Sequence, residues 1–203
     1  MYNKRRRQFG LTIIELIMFM VIVGVAAAAI LQVMNLANRN STDPIRRKQA
    51  MLIAEAYMEE VQQAQFTACD PADANAATAT VAAECADPNL AEKFGPEPGN
   101  ERPFDNINDY VRADYVEGTP YRAFTVVANG VEVDGDVSRA PLGAGLGNVA
   151  MNGFVTTLGL RYMDGLGGLA ASTVLQITIT VNYGANESIV LQGYRTRYAP
   201  RAL

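Results

Sequence analysis

Residues 11–34 read LTIIELIMFMVIVGVAAAAILQVM, and Glu15 is the one ionisable side chain among those 24 positions. A helix of that length rises about 36 Å, against a bilayer hydrocarbon core of about 30 Å, so the stretch is long enough to span a membrane. Lys4, Arg5, Arg6 and Arg7 stand just before Gly10. Basic residues beside an apolar span resist translocation, which keeps this end cytoplasmic and places the chain beyond about residue 35 on the far side. Glu15 is what a plain anchor leaves unexplained. An acid at the centre of a span costs about 3 kcal/mol and somewhat less a turn inside its end. Residues 16–31 contain no charge to pair with it, so the compensating cation must come from another chain or from a new amino terminus.

Gly10 followed by Leu11, Thr12, Ile13, Ile14, Glu15 and Leu16 resembles the class III signal of type IV prepilins and type II secretion pseudopilins. The resemblance implies cleavage after Gly10 by a prepilin peptidase and N-methylation of Leu11, which stands where the family usually carries Phe. Glu15 then becomes the fifth residue of the mature chain, whose carboxylate neutralises the terminal amine of a neighbouring subunit during filament assembly. The implied partners are other pilin subunits, the prepilin peptidase, an inner-membrane assembly platform and the lipid bilayer. The implied location is the inner membrane of a Gram-negative bacterium, single-pass with a periplasmic head, and then the pilus at the cell surface. Two simpler readings compete. A secretory signal peptide would be cut near Ala26–Ala29, but its apolar stretch is normally about 7–15 residues and lacks an acid. An unprocessed anchor accounts for the length and leaves Glu15 without a role.

The expected plan is a basic leader over 1–10, a membrane and assembly helix over 11–34, a polar joint and amphipathic helix over 35–67, and a β-rich head over 68–203. Asp43 and Pro44 read as an N-cap and first helical residue. Ile45, Leu52, Ile53, Ala56, Tyr57, Val61 and Ala64 then recur near a 3.6-residue period as the expected buried face. Beyond residue 104 the period becomes two. The stretch FTVVANGVEV, 124–133, carries Asn129-Gly130 between β-rich runs, a type I′ hairpin signal. Leu175, Ile177, Ile179 and Val181 alternate with polar residues across 173–183, and 188–198 is expected to pair back across Gly184, Ala185 and Asn186. A long helix followed by an antiparallel sheet makes an α+β fold, pilin-like on the resemblance.

Cys69 and Cys85 are the only cysteines. On the far side of a membrane they read as a disulfide closing an alanine-rich loop that buries too little to hold one conformation, the alternative being two unrelated buried thiols.

Composition narrows the function. Residues 68–203 hold nine basic against 16 acidic residues, a net charge of −7, and no basic cluster suited to nucleic acid. Arg195, Arg197 and Arg201 read as a solvated final strand. The chain has no histidine, which removes the usual base near neutral pH, and no carboxylate pair is singled out by spacing, so an enzyme is not expected. No cofactor and no metal site is assigned. Glu132, Asp134 and Asp136 read as a charged hairpin edge, with a calcium site as the weaker alternative. The glycine-rich stretches from Pro141 and Asp164 lack phosphate-loop spacing.

Asp43-Pro44, the helix with Ala54, Glu55, Met58, Glu59 and Glu60, Cys69-Asp70, the run Phe104 to Tyr110 and the stretch Tyr121 to Val127 are together similar to D-type minor pilins of the mannose-sensitive haemagglutinin pilus. That resemblance implies a low-abundance subunit that primes or tips a type IV pilus. A pseudopilin of a type II secretion system, a membrane-anchored extracellular binding module and an anchored carboxylate hydrolase are the other classes open to the sequence.

Overall fold

The computed structural model describes residues 12–144, 153–163 and 173–197, with side chains at 36–43 left out. It divides into two units, 1–45 and 46–203. One helix, α1, runs Ile13–Gln63. Pro44 lies inside it, so the expected helix start at Asp43-Pro44 does not occur. Proline forfeits one hydrogen bond, and the polar residues around it are weak helix formers that each cost only tenths of a kcal/mol.

In the first unit, Ile13–Asn35 is long and apolar enough to cross a membrane. None of it is buried within the chain. In the second unit the C-terminal part of α1 buries Ala50, Ile53, Ala54, Tyr57, Met58, Val61 and Ala64, a helical stripe at spacings of three and four. Ile45 and Leu52 are exposed, which corrects the expected face, and so is Ala56. The stripe is rotated toward Met58, and Ile45 precedes the part of the helix that the head covers.

The head is α+β. Strands β1 (Thr125–Ala128) and β2 (Val131–Asp134) form the expected hairpin. Asn129 and Gly130 sit at its tip with φ of 51° and 77°, the left-handed values a type I′ turn requires. Strands β3 (Val155–Tyr162), β4 (Val174–Asn182) and β5 (Ser188–Thr196) form an antiparallel sheet in the order β3-β4-β5. Central strand β4 buries Leu175, Ile177, Ile179 and Val181, as its alternation requires. Register sets Leu158 and Leu160 of β3 opposite Ile179 and Ile177. On the other side, β5 sets Ile189, Leu191 and Gly193 opposite Val181, Ile179 and Ile177. This apolar face meets α1 so closely at Gly193 that a Cβ there would lie 2.7 Å from the Gln62 amide and 3.0 Å from the Met58 sulfur.

Strand β3 escaped the sequence reading because its buried positions, Thr156, Leu158 and Leu160, begin with a polar residue and alternate with Thr157 and Gly159, so its apolar alternation is short. Two further expectations are corrected. Asp134 does not lie at a solvated hairpin edge: it is buried and pairs with Arg122 at 3.0 Å. Arg197 is not a solvated strand residue, since its guanidinium lies 4.9 Å from the Phe66 ring centroid, and burial pulls its pKa below the ordinary arginine value. Arg201 and the glycine-rich stretch from Asp164 lie outside the described residues, as does the second half of the stretch from Pro141.

Candidate functional site

The residues singled out in the sequence fall in separate places. Gly10 and Leu11 lie outside the described residues. Glu15 sits in the first turn of α1, where a carboxylate complements the positive end of the helix dipole. It is exposed and belongs to no ion pair among the described residues. Around it Ile13, Ile14, Ile17 and Phe19 are 52–82% exposed. An apolar surface of this extent is covered by lipid or by another protein surface rather than by water.

Cys69 and Cys85 form a disulfide, with Cα atoms 5.7 Å apart across a sequence separation of 16. Its loop is organised by polar contacts as well as by the bond. Asp73 accepts hydrogen bonds from the backbone N–H groups of Asn75, Ala86 and Asp87 at 2.7–3.0 Å. Those donors, that of Asp87 above all, hold its carboxyl below the usual range against the opposing effect of burial. Asn75 also donates to the Glu84 carbonyl across the loop. A two-way backbone bridge fixes the loop's base: Asp70 donates to Leu90, and Glu92 donates to Ala68.

Sequence reasoning missed the polar clamp between α1 and the head. Arg102 donates from Nε to Glu60 Oε1 at 2.6 Å and from Nη2 to Glu60 Oε2 at 2.7 Å. Both side chains keep only 6% of their exposure. Tyr110 donates to the same Oε1 at 3.1 Å. The guanidinium also lies 5.4 Å from the Tyr57 ring centroid and 5.0 Å from that of Phe124, two rings that stack at 4.0 Å. Burial alone would lower the Arg102 pKa, but the Glu60 carboxylate outweighs it and holds the value above ordinary arginine. The legible signal was Glu60 itself, a charge one position from Val61 on a face otherwise apolar.

The run Phe104 to Tyr110 follows Arg102 closely and supplies Tyr110 to this clamp. Asp105 accepts from Gln65 N–H and Ile107 donates back to the Gln65 carbonyl, so the chain leaving α1 is stitched to it by two backbone bonds. Ile107 and Tyr110 enter the core, and Phe104 packs edge-on to Tyr110 at 5.0 Å. The segment is structural at both ends.

No family model matches the chain, and no curated protein or solved structure does either.

Proposed function

We propose that this chain is a minor pilin-like structural subunit, cleaved after Gly10 and built through its amino-terminal helix into a type IV pilus of the mannose-sensitive haemagglutinin kind, where it primes or tips assembly. It works by packing and carries no catalytic role. The observation that carries the reading is the combination at the start of α1: an apolar helix with no burial inside its own chain, and in its first turn a carboxylate with no ion-pair partner among the described residues. A hydrophobic surface explains membrane residence. The unpaired Glu15 asks in addition for a cation on a neighbour, which the methylated terminal amine of another subunit supplies. The disulfide supports a head outside the cytoplasm, since such bonds persist in oxidising compartments.

The test is the mass of the chain expressed with and without a prepilin peptidase. Loss of residues 1–10 in its presence, blocked by a bulky replacement of Gly10, is the expected result. A mature chain beginning near Ala29 would identify an ordinary signal peptide and end the proposal. Retention of residues 1–10 with the peptidase present would favour an anchored extracellular binding module.

A further inference from the structure

Five carboxylates meet beside the base of the disulfide loop. Single oxygens of Glu97, Asp105 and Asp109 lie within 4.8 Å of one another, and those of Asp70, Glu92 and Glu97 do likewise, with Glu97 shared. No ion pair reaches any of the five among the described residues. What holds the first triad is one amide. Asn100 Nδ2 stands 2.8 Å from Asp105 Oδ1, 3.3 Å from Glu97 Oε2 and 3.4 Å from Asp109 Oδ2. An amide nitrogen has two hydrogens and no charge, so it serves three carboxylates incompletely.

A second observation stands apart from this convergence. Glu92 is 9% exposed, and both of its carboxylate oxygens are buried without a hydrogen-bond partner. Asp109 is 1% exposed and its Oδ1 is equally unpartnered. A buried carboxylate lacking donors is costly to ionise, so two in one acidic cluster either hold a proton or take a cation in its place. Arg197 lies close enough to Glu92 to feel its charge without forming an ion pair with it.

We propose that Glu97, Asp105 and Asp109 bind one calcium ion, with Glu92 and Asp70 supplying further negative charge and oxygen ligands on its Glu97 side. Calcium–oxygen bonds of 2.3–2.6 Å let two ligands of one ion stand up to about 5 Å apart, and the 4.8 Å limit of each triad falls within that span. The donor set is all oxygen and mostly carboxylate, the preference of a hard cation. Turning the Asn100 amide over replaces a weak donor with a fourth oxygen ligand. Calcium suits an irregular, carboxylate-rich loop better than magnesium, which demands near-ideal octahedral geometry and gives up its water reluctantly. The ion would tie the base of the disulfide loop, through Asp70 and Glu92, to the segment Asp105–Asp109 that is stitched to the end of α1.

The experiment uses the full chain in detergent, stripped with a chelator, then titrated with calcium chloride or magnesium chloride. Expected are one calcium per chain with a dissociation constant of about 10⁻⁴–10⁻³ M, as in extracellular modules, and a calcium-dependent rise in melting temperature. Asp105→Asn, at an exposed position, and Glu97→Gln should weaken binding at least tenfold while the calcium-free proteins melt no lower than the wild type, because like-charge repulsion is relieved. No calcium-dependent shift in the wild type at 10 mM, or a shift retained in both variants, overturns the proposal. An equal response to magnesium overturns the assignment to calcium.

Discussion

Glu60→Ala isolates the clamp on which the head's attachment to α1 turns. The substitution removes two charge-assisted hydrogen bonds from Arg102 and one bond from Tyr110, and it leaves a guanidinium with 6% of its side-chain exposure beside two aromatic rings. Breaking a buried pair on one side costs about 3–5 kcal/mol, because the survivor keeps its charge and loses its solvation. In a folded unit of this size each kcal/mol lowers the melting temperature by about 2–4 °C, so the expected drop is about 6–20 °C. The double variant Glu60→Leu/Arg102→Met removes both charges and keeps similar volume. It should return to within about 2 kcal/mol of the wild type, since an apolar replacement of a whole buried pair is often neutral. The chain has nine tyrosines and no tryptophan, so near-ultraviolet circular dichroism of the tyrosines follows the head without interference from the apolar helix. A Glu60→Ala cost below about 1 kcal/mol, or a double variant as unstable as the single, would refute a clamp that holds by charge in a desolvated site.

Opening the disulfide should lower head stability by about 3 kcal/mol, the chain-entropy value for a loop of roughly 15 residues; alkylation should find no free thiol before reduction, and reactive Cys69 or Cys85 in folded protein would contradict it. The carboxyls of Glu92 and Asp109 are each pushed up to about 8, first by burial and then by the surrounding carboxylates. Between the ordinary carboxylate range and about 8 the folded head therefore binds more protons than the unfolded chain, so in chelator the urea midpoint should fall as pH rises from 5 to 9. That slope should shrink in Glu92→Gln/Asp109→Asn, and a midpoint that rises or stays flat in the wild type would count against the burial of these groups. Asp73, held low by backbone donors, acts in the opposite sense and only at the acidic end, where its contribution is lost as pH falls. Glu15→Val and Glu15→Gln should leave membrane insertion intact or improved and reduce incorporation into sheared filaments at equal total protein; undiminished incorporation would show that the pairing is dispensable.

Local pattern carried some parts of this molecule in the sequence and left others hidden. Strand β4 was legible because four apolar residues alternate with polar ones, and the β1–β2 hairpin because Asn129-Gly130 meets a conformational need that few dipeptides meet. The cysteines were legible as a pair because they stand alone. Partners joined by long chain separations were not. Glu60 and Arg102 are 42 residues apart, and Arg102 lies in a loop whose composition says only that it is polar. The acidic cluster draws on five positions between Asp70 and Asp109 with no fixed spacing, unlike a calcium loop written in one stretch. Arg197 deceived for a related reason: alternation places it on a strand, but whether its face is wet depends on Phe66, which arrives from the end of α1.

The energetics of the apolar helix show why Glu15 is tolerable and why it is not indifferent. Ile13–Asn35 contains 12 Ile, Leu, Val and Phe residues. At about 0.3–0.6 kcal/mol apiece near the centre of a span, these favour insertion by roughly 4–7 kcal/mol. An acid at the centre would cancel about 3 kcal/mol of that, and Glu15 in the first turn cancels less, because it lies near the interface and at the favourable end of the helix dipole. On this balance the helix is apolar enough to insert with its acid in place. The residual cost is recovered only when a cation at the same depth meets the carboxylate, and the chain offers none between residues 16 and 31. An interaction between neighbours at that depth gains twice, once from covering apolar surface that the monomer leaves to lipid and once from pairing a charge that the monomer leaves alone. Covering surface alone favours any apolar helix; pairing the charge favours only a helix whose cation stands level with Glu15, and in the proposed filament that requirement would set the register between subunits.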